Sequence, residues 1–277
     1  MLVHAFRRMV RELEFDVCEM ALTTYLCARE HGVRFTALPI FLVRAFHHGA
    51  IVCDVSAGLE DPKQLEGKRV GVGRGYTVTT GVWARSILAE EYGVDLDTIT
   101  WVLSGDEHVE AYELPPNVVR IEPGKTIEAL LETGELAAAV NIDATNPNIR
   151  PLIPNALEAG LAAFLRSGHY PINHLIVIRD DVLEAQPDLA VSLFDAFVES
   201  KRLYLASLKS GGVDPLTSAD RLHLRMLEHV GDPLPYGIEP NCRVLENLIA
   251  HATAQRILRK PAAVESLFAP TTLELTG

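Results

Sequence analysis

The sequence has few cysteines, and they are not arranged for bridging or metal binding. Cys18, Cys27, Cys53 and Cys242 form no C-x-x-C pair and have no zinc-like spacing, and three of them sit in apolar segments, as small hydrophobes do. A reducing compartment is the expectation. No run of 18 apolar residues occurs. The N-terminal MLVHAFRRMVRELEFD reads as a polar amphipathic helix with no apolar h-region, lipid-anchoring cysteine or cleavage site, so a cytoplasmic protein with no membrane partner is expected. Positive charge is scarce: Lys plus Arg number 25 against 37 acidic residues, a net charge of -12. With no basic run and no interleaving of aromatic and basic residues, nucleic acid is not an expected partner. The sequence has no P-loop, no G-x-S-x-G elbow and no Ser-His-Asp order, which argues against phosphoryl and acyl transfer. Internal repeats and low-complexity tracts are also missing.

Short Val- and Ile-rich runs alternate with segments of helical period, the pattern of parallel strands joined by crossover helices. The fold class is therefore α/β. Expected strands are 15–18, 35–43, 50–55, 68–73, 98–103, 137–142 and 174–179. One helix follows Tyr76 and ends at Gly93, and another runs through Ile127, Leu130 and Leu131 to Gly134. A third starts at Pro187, buries Ala190, Phe194, Leu205 and Leu208, and stops at Gly211 and Gly212. From Asp214 the chain is helical and polar, interrupted by DPLPYGIEPN (232–241), whose prolines and glycine exclude regular structure.

The most informative stretch is KRVGVGRGYTVTTGVW (68–83): a buried strand, a hydroxyl-rich loop and a helix start. The first turn of a helix leaves backbone N–H groups free and carries partial positive charge, so Thr77, Thr79 and Thr80 can join it around a carboxylate or phosphate. Simple capping by these threonines is the competing reading. A dinucleotide fingerprint fits worse, because Gly71, Gly73 and Gly75 have the wrong spacing and Tyr76 stands where a third glycine would fall.

LEGKRVGV, the threonine loop, TIEALLETGELAAAV and HLIVIRDDVLEAQPDLAVSLFDAF together resemble the type 2 periplasmic-binding-protein fold. More narrowly, FDVCEMALTTYL (15–26), the stretch 44–51, YTVTTGVWAR (76–85), DEHV (106–109), YPINH (170–174) and DPLPYGIEPN are similar to the 4,5-dihydroxyphthalate decarboxylase family. The resemblance implies two lobes, each a mostly parallel sheet with helices on both faces: lobe I from 1–57 and 172–277, lobe II from 58–171. Family members begin with some 40 further residues, including a first strand and a glycine-acidic loop; lobe I here is expected to lack them, or the native start lies upstream of Met1.

The implied reaction removes one carboxylate as carbon dioxide from an aromatic dicarboxylate bearing two adjacent hydroxyls, leaving a dihydroxybenzoate. A general acid must protonate the ring carbon, and cationic or N–H groups must hold the carboxylate that stays. His48, His174 and Glu19 are the expected catalytic residues; His48 matches the family's histidine best, and Glu19 is placed at the carboxyl end of the first strand. Arg44, His47, Arg74, Tyr76, Thr77, Thr79, Thr80, Asp143 and Tyr236 are the expected substrate contacts, with Glu239 carried by the same motif as Tyr236. For each of the charged residues a plain surface or capping role competes. No cofactor is expected; a divalent metal held by His48, His174 and Glu19 is an alternative, although the spacing is scattered. The expected partner is a small aromatic anion, and a homo-oligomer stays open. The second functional reading is a non-catalytic binding protein for an aromatic or sulfonate anion serving an ABC transporter, and a third is an enzyme related to thiamine-pyrimidine synthesis. Histidines near the cleft favour an enzyme, since an anion receptor needs arginine, hydroxyls and N–H groups more than titrating acids.

Overall fold

The computed structural model describes residues 2–142 and 146–277. In chain order come helix α1 (Leu2–Glu12), strand β1 (Val17–Ala21), helix α2 (Leu22–Glu30) and the long strand β2 (Phe35–Arg44). A short turn at His48–Ala50 leads to β3 (Ile51–Asp54), β4 (Arg69–Val72), α3 (Thr79–Tyr92), β5 (Thr100–Leu103) and β6 (Val118–Arg120). Helix α4 (Ile127–Glu132), β7 (Ala138–Val140), β8 (Ile149–Pro151) and α5 (Ala156–Ser167) follow. The chain returns through β9 (Ile172–Arg179) to α6 (Asp180–Ala185), α7 (Leu189–Lys209), α8 (Ser218–Leu227) and α9 (Cys242–Ala254).

The strands form two sheets. The larger has the order β6-β5-β4-β7-β3-β8, with β4 parallel to β5 and β7, β5 parallel to β6, and β3 antiparallel to β7 and β8. Its central strands are short apolar runs, as strands covered on both faces must be. The smaller sheet is β1-β9-β2, and here the pairing departs from the expected parallel form: β9 lies between β1 and β2 and runs antiparallel to both. β3, expected in the first lobe, hydrogen-bonds within the larger sheet, so that sheet begins at Ile51. One core cluster unites the two sheets, with Phe35, Leu38 and Phe41 of β2 joining Val70, Val72 and Trp101 of the larger sheet.

The glycines of the 68–75 stretch serve close packing. A Cβ on Gly73 would fall 1.9 Å from the Asn141 carbonyl oxygen, and one on Gly71 would fall 2.9 Å from the Ile127 side chain. Gly93 ends α3 in the left-handed region (φ 64°), its N–H bonding Ala89 and that of Val94 bonding Leu88. α7 starts two residues after Pro187 and buries the expected Ala190, Phe194, Leu205 and Leu208, together with Lys201.

Candidate active site

β1 runs further than expected, so Glu19 stands inside the strand opposite Ile176, and His174 lies within β9 opposite Ala21. Residues diagonal across an antiparallel pair share a face, which brings the two side chains together. His174 Nδ1 and Glu19 Oε1 are 2.5 Å apart, and the side chains are 20% and 25% exposed. With the carboxylate as acceptor, Nδ1–H donates, which fixes the imidazole's orientation and leaves Nε2 as the outward ring nitrogen. The Phe6 ring of α1 meets the imidazole edge-on at 5.2 Å.

Beside His174 on β9, Asn173 joins two further elements. Its Oδ1 lies 2.8 Å from His47 Nε2, and its Nδ2 donates to Thr80 Oγ1 at 3.2 Å, at the start of α3. His47 is buried, and burial lowers its pKa to about 4. It is neutral near pH 7, so its role is to hold Asn173 and not to grip a carboxylate.

The threonine loop does hold a carboxylate, but one of the chain's own. Glu107 accepts from the Tyr76 N–H, from the Thr77 N–H at 3.1 Å and from Thr77 Oγ1 at 2.7 Å. Gly75 leaves the room, since a Cβ there would lie 2.6 Å from Glu107 Oε2. The expected anion site is therefore filled internally, with Tyr76 and Thr77 as its donors. Thr79 Oγ1 meets Thr23 Oγ1 at 2.9 Å and accepts from the Thr23 N–H at 3.1 Å, tying the start of α2 to that of α3. The Tyr76 ring packs under the Arg85 guanidinium at 3.9 Å. Arg74 is exposed, and its backbone is what is bonded: its N–H donates to Ser104 Oγ and its carbonyl accepts from the Gly105 N–H.

The remaining expected residues lie elsewhere. His48 is buried with Nε2 2.9 Å from Glu91 Oε1, beside a cavity of about 150 Å³ also lined by Trp83, Glu90, Arg166 and His169; its Nδ1 has no partner among the described residues. His47 and His48 thus address different parts of α3, the first Thr80 through Asn173 and the second Glu91. Arg44 is buried and donates to the carbonyls of Tyr170 and Pro235 and to Asn241 Oδ1. Tyr236 is buried against Phe194 with Lys201 Nζ 4.8 Å over its ring, and burial pushes its phenol up to about 12. Glu239 is exposed in a short turn. Asp143 lies outside the described residues. The structure brings Glu19 to His174 but not to His48, so the three do not form the expected ligand set; among the described residues no group of three or more His, Cys, Asp or Glu is placed to hold a metal ion.

Asn173, Glu107 and Phe6 are contacts that the sequence did not single out, although the first two fall inside YPINH and DEHV. Their partners are 30 or more residues away in sequence, beyond any local pattern.

Two sheets sharing one core, with a histidine–carboxylate pair on the smaller sheet and a helix that starts from the threonine loop after β4, define a periplasmic-binding-protein-like fold. The alkanesulfonate-binding protein SsuA of Xanthomonas axonopodis pv. citri shares that fold, with a TM-score of 0.55 and 16% identity over 95% of this chain and 83% of that one. No protein-family model matches the chain. The 4,5-dihydroxyphthalate decarboxylase of Comamonas testosteroni is 30% identical over 292 residues, covering 97% of this chain and 86% of that protein. The 4,5-dihydroxyphthalate decarboxylase of Pseudomonas putida is 34% identical over 143 residues, covering 49% of this chain and 55% of that protein. The chain belongs to the 4,5-dihydroxyphthalate decarboxylase family.

Proposed function

We propose that this chain decarboxylates a dihydroxylated aromatic dicarboxylate of the 4,5-dihydroxyphthalate kind to a dihydroxybenzoate, with His174 as proton donor. The observation that carries the reading is the His174–Glu19 pair, a partly exposed imidazole oriented by a carboxylate in a chain of this family. In its protonated form His174 presents Nε2–H. That proton adds to the ring carbon bearing the leaving carboxylate, while the para hydroxyl, partly deprotonated, supplies electron density through the ring. The carbon–carbon bond then breaks, its electron pair returns to the ring, and carbon dioxide leaves. His174 is left neutral, still donating from Nδ1 to Glu19, and takes a new proton from solvent at its exposed edge. All four cysteines are free thiols, which fits the reducing compartment of a cytoplasmic enzyme.

The test follows carbon dioxide release and the ring's ultraviolet spectrum when purified protein meets 4,5-dihydroxyphthalate. Stoichiometric release with catalytic turnover is expected. Saturable binding without release would replace the enzyme by a solute-binding protein.

A further inference from the structure

A cavity of about 350 Å³ opens where the 232–241 loop meets the start of α9 and the C-terminal end of α5. That size falls within the range of small-molecule sites. Glu19, Asn173, His174 and the threonines of the α3 loop are not among its walls.

Arg44 is the informative wall. Its guanidinium is buried, and each of its partners is a neutral oxygen: Tyr170 O at 3.0 Å, Pro235 O at 3.0 Å and Asn241 Oδ1 at 2.5 Å. Its Nε–H is buried with no acceptor among the described residues. Burial lowers its pKa to about 10, so it stays a cation at neutral pH. The acidic groups of the wall are otherwise placed. Asp232 is paired with Lys201, and Glu239 is exposed on the turn at the rim. Asp232 acts on the Arg44 guanidinium electrostatically but is already paired with Lys201, so this buried cation, hydrogen-bonded to neutral oxygens, stays undercompensated until an anion completes it. Arg243 adds a second, exposed cation to the same walls, and Phe164, Met226 and Val230 give the cavity an apolar side.

We infer that this cavity is a ligand site separate from the His174–Glu19 pair, taking a small monocarboxylate with a flat apolar body. The carboxylate meets Arg44 and Arg243, and the ring lies against Phe164, Met226 and Val230. Such a division of polar and apolar contacts selects for charge and shape together, and it leaves the neutral amide of the same acid a poor ligand.

Calorimetric titration of the full chain with benzoate, and with benzamide as the neutral isostere, tests the site. Saturable benzoate binding is expected, with benzamide at least about tenfold weaker. Arg44→Gln and Arg243→Ala each weaken benzoate about tenfold, Val230→Trp fills the cavity and abolishes binding, and His174→Asn leaves it unchanged. Should Arg44→Gln fail to fold, Arg243→Ala and Val230→Trp, at exposed and half-buried positions, still decide the question. Absence of benzoate binding, equal binding of benzamide, or wild-type affinity in Val230→Trp and Arg243→Ala overturns the site. Loss of benzoate binding in His174→Asn overturns its separateness and assigns the ligand to the catalytic pair. Neither result depends on whether the protein turns over dihydroxyphthalate.

Discussion

In the proposed reaction Glu19 and His174 divide one task between them: the carboxylate sets the ring, and the ring carries the proton. Glu19→Gln keeps an acceptor oxygen but removes the charge that holds Nδ1–H. Its kcat is expected to fall about 100-fold with KM little changed, measured by steady-state carbon dioxide release. Equal loss in kcat and in substrate affinity would make Glu19 a binding residue instead. His47 titrates differently. Its folded pKa of about 4 lies below the ordinary 6.5, so between these values the unfolded chain binds the extra proton. The contribution of neutral His47 is therefore fully present above pH 6.5 and is lost as pH falls toward 4, with a size of about 3 kcal/mol. Urea midpoints measured across this window should fall with pH in the wild type and fall less steeply in His47→Gln. An unchanged slope would mean that His47 does not hold its burial penalty in solution.

At the scale of elements, the start of α3 is the most revealing piece. Glu107→Ala leaves the Tyr76 and Thr77 N–H groups and the Thr77 hydroxyl without their acceptor. A loss of about 2–4 kcal/mol is expected by chemical denaturation, against less than about 0.5 kcal/mol for Glu265→Ala at an exposed position. The sequence made the anion chemistry of this loop legible through its free N–H groups and its threonines. It could not show that Glu107, 31 residues beyond Tyr76, supplies the anion. The central strands and α7 were equally legible, because apolar runs of period 2 or 3.6 and a clear glycine stop mark them. β6 and β8 escaped notice: each has three residues, β6 exposes two of them, and β8 ends in proline. The sequence places β1 too early because Glu19 interrupts its apolar run, and that same glutamate is the half of the proposed catalytic pair that the strand presents.

At the scale of the molecule, the two sheets are tied by polar contacts as well as by their common core. Trp83 Nε1 of α3 donates to the Ile172 carbonyl of β9 at 2.9 Å, and Asn173 bridges His47 to Thr80. α1 closes the same seam. Phe6 lies against His174, and Arg11 donates to the carbonyls of Glu107 and His108 at 2.9 and 3.1 Å. The His174–Glu19 pair is thus held by the whole fold, with strand register supplying its geometry and α1 shielding one edge. Antiparallel placement of β9 makes this arrangement, since it sets His174 diagonal to Glu19; no local motif encodes that pairing.

The most direct measurement compares carbon dioxide release from 4,5-dihydroxyphthalate by the wild type and His174→Asn at equal substrate occupancy, fixed by a parallel binding titration. A kcat reduced about 10²–10⁴-fold with Kd within a few-fold is the expected result for the proton donor. Turnover of His174→Asn at the wild-type rate would contradict it and remove His174 from the reaction.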